Sequence, residues 1–418
     1  MWIKYFDIDK GVLEVTLVVK DGIVIDRKLG LERVHGVDSH LGLTSLGIAI
    51  PGAIDIHAHL RGLDLAYKED EESGTLAAAK GGFTVVVDMP NTKPEIRSLT
   101  ALRSKLEALK TNSAIDYGIF IGLPSNLREL KEMLSQEGVV GLKVYPQDLL
   151  KLNREHIEVL AELDSLLMLH AEHPAMIREG CERGKRWICR PIEAEIAAIS
   201  YLKKVVAPHV KIHVTHVTNV ATLALAKSIG ATVDTCPHYL LLTCEDEEKL
   251  GCIAKVNPPL RPRDVVEELL NNVNMLDSFS TDHAPHSIEE KCLDFSECPS
   301  GIASIEIAIP LTIDLAMRGF MLLDDIVRLW SIGPSKILGL RNWGCIEVGC
   351  IASYTIINPD KVTIVDPSQF VSKAKFSPYE GWKLRGGVVG TIVRGRIVSL
   401  EGELIESRGG KAIERGSR

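Results

Sequence analysis

No apolar run in these 418 residues reaches the roughly 20 needed to span a bilayer. The start, Met1-Trp2-Ile3-Lys4-Tyr5-Phe6-Asp7, is too polar for a secretory leader. Both absences lead to the expectation of a soluble cytoplasmic protein. Positive charge is not in excess: 48 Lys+Arg face 56 Asp+Glu, a net charge of -8. That argues against a nucleic-acid partner and against an anionic membrane surface. An anionic substrate would have to be held by local cations. The 9 cysteines are scattered and no Cys-x-x-Cys pair occurs, which supports neither a disulfide framework nor a thiolate zinc knuckle. Low-complexity linkers and close repeats are also missing.

What is present is a 45% hydrophobic chain, enough for a large core. Length alone suggests about two or three domains, although barrels run longer than the average domain. Residues 1–50 read as short strands with turns: Glu14 to Val19, the hairpin-type turn Asp21-Gly22, then Ile23-Val24-Ile25. The C-terminal part reads the same way, with strands at Ala352 to Ile357 and Gly390 to Val398. Two β-rich ends around a different middle suggest a small β-domain, a β-sandwich, built from residues 1–50 and 345–418. The middle, residues 51–344, alternates apolar strands with helical segments, the pattern of a parallel α/β fold. Eight strands are expected: Ala53–Leu60, Thr84–Met89, Ile115–Gly122, Gly141–Tyr145, Leu166–Glu172, Lys211–His216, Ala231–Cys236 and Met275–Asp282. The fold expected is an α/β, TIM-type (β/α)8 barrel.

The first of these strands carries Asp55-Ile56-His57-Ala58-His59-Leu60-Arg61. By strand alternation Asp55, His57, His59 and Arg61 share a face. Paired imidazoles pack poorly but ligate metals well, and Arg61 is a fixed cation suited to a carboxylate. Active sites of such barrels lie at the C-terminal strand ends. The suspicious polar residues recur there: Asp88 and Asn91 at the end of strand two, Lys143 on strand four, His170 and Glu172 on strand five, His216 on strand six, Asp282 and His286 at the end of strand eight.

Four histidines and an aspartate at one barrel mouth can hold two divalent cations, zinc first, with manganese, cobalt or iron open. A lysine in mid-strand is costly as a bare ammonium. Reaction with carbon dioxide would make Lys143 a bridging anionic carbamate. Two cations would acidify a water, and Asp282 would both ligate and carry a proton from that water to a leaving nitrogen. This is metal-assisted hydrolysis of an amide-like bond. Asp55 has the face to orient a ligating histidine. Arg61, Asn91 and His286 could hold a carboxylate, and Asn257, in a proline-stiffened loop, is a plausible amide reader.

These segments, together with Arg190-Pro191-Ile192-Glu193-Ala194-Glu195, His213-Val214-Thr215-His216, Asn257-Pro258-Pro259-Leu260-Arg261 and Ser377-Pro378-Tyr379-Glu380-Gly381-Trp382, run in one order over most of the chain. In that order the chain resembles the dihydroorotases of the amidohydrolase superfamily, in their longer, carbamylated-lysine class. The resemblance implies reversible cyclisation of N-carbamoyl-L-aspartate to L-dihydroorotate in pyrimidine biosynthesis. It implies two Zn2+, one on His57 and His59 and one on His170 and His216. Carboxylated Lys143 bridges them, and Asp282 is ligand and general acid/base. It also implies Arg61, Asn91 and His286 on the substrate carboxylate, Asn257 on the ring, and residues 283–300 over the substrate. It leaves open a homo-oligomer and association with aspartate carbamoyltransferase.

Two departures touch the loops and not the ligands: Gly62-Leu63-Asp64 follows Arg61, and His173 stands where many relatives have an acidic residue. A structural role is expected for His238. The rivals are a sister cyclic amidase, an allantoinase or hydantoinase, and a dead barrel serving as an assembly partner. The carboxylate-binding set argues against the first and the intact ligand set against the second.

Overall fold

The structure is a computed structural model that describes residues 1–206 and 209–415. The last three residues of the segment 345–418 therefore lie outside the described residues. Four strands lie at the N-terminal end: β1 (Trp2–Asp7), β2 (Gly11–Lys20), β3 (Ile23–Leu29) and β4 (Ile48–Pro51). The Asp21-Gly22 turn joins β2 to β3, both residues having positive φ (53° and 82°), the twist that a two-residue hairpin requires.

The barrel strands follow: β5 (Ala53–Ala58), β6 (Phe83–Asp88), β7 (Asp116–Ile121), β8 (Val139–Val144), β9 (Leu166–His170), β10 (Lys211–Thr215), β11 (Thr232–Thr235) and β12 (Ser278–Phe279). Each overlaps one of the eight expected segments. Four strands end the series: β13 (Tyr354–Ile364), β14 (Lys383–Val393), β15 (Arg396–Leu400) and β16 (Glu403–Leu404).

Two eight-stranded sheets result. One runs β16-β15-β14-β13-β4-β1-β2-β3, drawing on both ends of the chain through the antiparallel β4·β13 pairing. The other is parallel and runs from β5 to β12 in sequence order. It closes where Ala58 bridges His283 and the His59 N–H donates to the His283 carbonyl at 2.8 Å. Two helices matter below: α1 (Glu71–Lys80), capped by Asp70 and Ser73, and α2 (Leu99–Asn112), capped by Ser98. Among the described residues no helix is long and apolar enough to cross a membrane.

The structure departs from the sequence expectations at three places. Strand β12 is far shorter than Met275–Asp282, because a 3-10 turn over Val273–Met275 precedes it and the chain leaves the ladder after Ser280. Ser280 Oγ donates to Asp234 at 2.9 Å, the Thr281 N–H donates to Asp55 at 3.1 Å, and Asp282 turns to a left-handed φ of 44°. Simple alternation does not place Arg61 on the face of His57. Strand β5 stops at Ala58, its register with β6 shifts between Asp55 and Ala58, and Arg61 itself has φ 56°. The cysteines do pair, at Cys181–Cys189, Cys252–Cys298 and Cys345–Cys350. Separations of 8, 46 and 5 residues form no spacing motif, so only the fold reveals them.

Candidate metal-dependent active site

At the C-terminal mouth of the barrel lies a cavity of about 470 Å³. Its wall includes His57, His59, Arg61, Asn91, His170, His216, Asn257 and Asp282. Three of these, Arg61, His216 and Asp282, hold left-handed φ values of 56°, 46° and 44°. Such backbone costs about 1–3 kcal/mol at a non-glycine and persists only where surrounding contacts enforce it.

The ring of His57 is held by an outward chain. Its Nδ1 lies 2.7 Å from Thr215 Oγ1, and that hydroxyl lies 3.0 Å from Asp234 Oδ2. With the hydroxyl donating to the carboxylate, the oxygen accepts the Nδ1–H of His57, which leaves the Nε2 lone pair facing inward. His59 repeats the arrangement: Nδ1 donates to Asn91 Oδ1 at 2.6 Å. The two Nε2 atoms then meet Asp282 Oδ1, at 3.4 Å from His57 and 3.0 Å from His59. Ligand atoms of His57, His59 and Asp282 all lie within 4.8 Å of one another, and all three residues are buried. Three buried acceptors with no proton between them suit a cation.

His170 and His216 face this trio. Their ring centroids are 4.5 Å apart, and His216 is 5.2 Å from His57. His170 Nε2 bonds Glu172 Oε2 at 2.6 Å, which leaves Nδ1 as its free acceptor. Burial opposes the charge on Glu172, but its bond to His170 and the Arg190 guanidinium hold the carboxyl down at about 2. The His216 backbone N–H donates to Asp234 Oδ1 at 2.6 Å. Burial, then neighbouring cationic groups, depress the proton affinities of His57 and His216 well below the usual histidine value, so both rings are neutral and able to ligate.

Lys143 is fully buried, and among the described residues its Nζ has no hydrogen-bond partner. Burial pulls its ammonium down to about 7 against the weaker pull of Asp282 and Asp234. An orphaned amine between histidines and Asp282 is a poor cation site but a good position for an amine turned into an anion. The donor set as a whole, imidazole and carboxylate with one convertible lysine, fits divalent metal.

The remaining residues divide. Arg61 and Asn91 both line the cavity. Asn257 is also on the wall, its Oδ1 accepting from the Arg186 guanidinium. His286 does not line the cavity: its Nε2 lies 3.3 Å from Arg61 Nη2 and 3.1 Å from the Ser300 carbonyl, so it backs Arg61. Asp55 does not touch an imidazole. It accepts from the His57 and Thr281 backbone N–H groups, both at 3.1 Å, and so secures barrel closure. The orienting groups are Thr215, Asp234, Asn91 and Glu172. Only position in the fold, on strands or in the loops after them, gives them those roles. Tyr145, Gln147 and Arg190 also line the cavity, and no sequence reading assigned them there. His238 is buried, and among the described residues neither ring nitrogen has a hydrogen-bond partner.

A model described as the amidohydrolase family matches residues 48–398 of this chain. A dihydroorotase of Saccharolobus solfataricus is 37% identical over 362 residues, 87% of each chain. A dihydroorotase of Pyrococcus furiosus is 32% identical over 421 residues, 98% of this chain and 95% of its own. Among solved structures, an L-hydantoinase (dihydropyrimidinase) from Arthrobacter aurescens superposes with a TM-score of 0.88 at 25% identity, covering 98% of both chains.

Proposed function

Because the chain belongs to the amidohydrolase family, and within it matches dihydroorotases along most of its length, we propose that it interconverts L-dihydroorotate and N-carbamoyl-L-aspartate. The enzyme is a cyclic amide hydrolase of pyrimidine biosynthesis, working in the cytoplasm on a small-molecule substrate. The observation that carries this reading is the convergence of His57 Nε2, His59 Nε2 and Asp282 Oδ1, together with a buried Lys143 whose Nζ has no hydrogen-bond partner among the described residues.

On this reading His57 and His59 would hold one Zn2+ and His170 and His216 a second, with Asp282 and an N6-carboxylated Lys143 as the anionic ligands. When bound, the metals polarise the reacting carbonyl and make a water nucleophilic at neutral pH. The chain supplies the rest. Arg61 and the Asn91 amide hold the substrate carboxylate, with His286 steadying Arg61, and Asn257 meets the ring. In the hydrolytic direction a water oxygen adds to the ring carbonyl carbon and Asp282 takes its proton. Asp282 then gives that proton to the ring nitrogen as the C–N bond breaks, leaving a ureido group and a carboxyl group that releases the second water proton to solvent and becomes a carboxylate. In the synthetic direction the ureido nitrogen attacks the carboxyl carbon. Its proton passes through Asp282 to the departing oxygen, which takes one further proton from solvent and leaves as water.

A fold shared with hydantoinases does not choose the ring; the cation at Arg61 does, because hydantoin has no carboxylate. The test is turnover of L-dihydroorotate, hydantoin and allantoin by zinc-supplemented enzyme and by Asp282→Asn. Dihydroorotate turnover that vanishes in the variant is the expected result. Preference for another ring overturns the carboxylate assignment. Turnover of none, with metal bound, favours an assembly role.

A further inference from the structure

The helix α2 carries a lysine where its buried stripe should be apolar. Lys105 lies at i+3 from Leu102 and i−4 from Leu109, both buried, and is itself fully buried. A buried ammonium persists only if its donors are used, and all three known partners belong to the site's supports. Nζ donates to the Arg61 carbonyl at 2.9 Å and to Glu71 Oε1 at 2.6 Å, and it pairs with Asp88 Oδ2 at 2.8 Å. Asp88 Oδ1 in turn accepts the backbone N–H groups of Leu60 at 2.8 Å and Met89 at 2.9 Å. Thus one side chain gathers the ends of β5 and β6 at the residue before, and the residue of, the Arg61 turn.

That turn needs holding. Arg61 has φ 56° and is followed by Gly62 at φ 67°. A Cβ on Gly62 would collide with Glu71 Oε1, the same carboxylate oxygen that Lys105 grips. Arg61 is no glycine, so its left-handed backbone is disfavoured unless its peptide is fixed from outside. Arg61 is also committed at its other end, with Nε donating to the Pro285 carbonyl at 3.3 Å. Burial draws the Lys105 ammonium down, but the Asp88 and Glu71 carboxylates outweigh it and keep the group charged.

We propose that Lys105 is a positioning residue for substrate selectivity: by anchoring the Arg61 carbonyl on the far side of the barrel wall, it aims the Arg61 guanidinium at the substrate carboxylate. This rests on the reading of Arg61 as the carboxylate anchor. Lys105 touches no substrate. Without it the Arg61 peptide relaxes towards negative φ and the guanidinium leaves the cavity wall, while the histidine cluster keeps its own supports at Thr215, Asp234 and Asn91.

The experiment compares orotate with orotate methyl ester as competitive inhibitors of the zinc-loaded enzyme, the two differing in charge at one position. Wild type, Arg61→Met, Lys105→Met and Glu71→Gln are measured together with bound zinc per chain. The last variant keeps volume and weakens the Lys105 anchor, and it serves if Lys105→Met fails to fold. Expected is a loss of preference for orotate on the order of 10-fold or more in Arg61→Met and Lys105→Met, and a smaller loss in Glu71→Gln, with zinc content unchanged. If Arg61→Met loses the preference while Lys105→Met retains it, or weakens both ligands equally, the positioning role is wrong. If Lys105→Met does not fold, an unchanged preference in Glu71→Gln overturns it. If Arg61→Met itself retains the preference, the carboxylate assignment of Arg61 fails, and the role of Lys105 falls with it.

Discussion

Asp234 and His216 are joined through the backbone: the His216 N–H donates to Asp234 Oδ1 at 2.6 Å, across neighbouring strands β10 and β11. The same carboxylate takes Thr215 Oγ1 at 3.0 Å, Ser280 Oγ at 2.9 Å and His213 Nε2 at 2.7 Å. Asp234 therefore fixes the left-handed turn of one candidate ligand and, through Thr215, the ring tautomer of another, His57. Asp234→Asn keeps the shape but turns one acceptor oxygen into a donor facing groups that already donate. The expected outcome is a loss of metal affinity of about 10-fold to 100-fold, read as zinc per chain after dialysis against graded chelator, with secondary structure retained.

Lys143 offers a sharper test of the bridging carbamate. Its Nζ is buried and, among the described residues, without a hydrogen-bond partner, so a simple ion-pair role has no visible counter-ion at contact distance. Lys143→Ala is expected to abolish turnover and lower bound zinc. Added propionate, a small carboxylate that can enter the vacated space, restores part of the activity, whereas propionamide does not. Lys143→Arg, which keeps a charge but forms no carbamate, stays inactive. Full activity in Lys143→Arg would remove the carbamate from the mechanism.

How much of this could be read in advance follows from where the information sits. His57, His59, His170, His216 and Asp282 stand at strand ends in an apolar alternating pattern, so residue type and position along the chain were enough to gather them. Arg61 was legible as a cation beside the histidines, but not its backbone, since nothing local in Leu60-Arg61-Gly62 announces a left-handed arginine. Thr215 reads as an ordinary β-branched strand residue, and Asp234 as one acid among many. Their roles arise from the register of β10 with β11, which sequence does not state. Lys105 resembles any helix lysine until the wall behind it is known. Cys252 and Cys298 are 46 residues apart, and only the packing of their loops brings them together.

That last pair has a measurable consequence. Cys252–Cys298 ties the turn before Asn257 to the loop that leads to Ser300 and Gly301, two residues of the cavity wall. Lys255 Nζ reinforces the tie by donating to the Phe295 and Cys298 carbonyls, each at 2.6 Å. On the chain-entropy model a link closing a loop of this length stabilises by about 4 kcal/mol. Thiol titration of oxidised, denatured protein should count Cys236, Cys244 and Cys292 as free, and all nine after reduction. Cys252→Ser should lower the midpoint of urea unfolding of the oxidised protein and leave that of the reduced protein nearly unchanged. Nine free thiols without reductant would remove the cross-links.

Glu306 gives the stability a defined pH dependence. It is buried, its Oε1 accepts the Val371 N–H at 2.7 Å and the Ser372 N–H at 3.0 Å, and Lys80 stands 3.3 Å from Oε2. Burial is the largest influence and raises its carboxyl to about 7, against the opposing pull of Lys80 and those backbone donors. The folded state therefore binds this proton more tightly than the unfolded chain, whose glutamate titrates near 4.5. Its contribution is fully present below about pH 4.5 and is lost as pH rises through about 7, so this group makes stability fall across that window. The change is on the order of 3 kcal/mol. Glu306→Gln, neutral at every pH, should remove that downward slope. The check is urea unfolding of wild type and variant at half-unit steps from pH 4.5 to 8, taken as a difference so that other titrating groups cancel. A difference that stays flat, or that grows with pH in favour of wild type, would mean that Lys80 and the two backbone donors keep Glu306 ionised throughout.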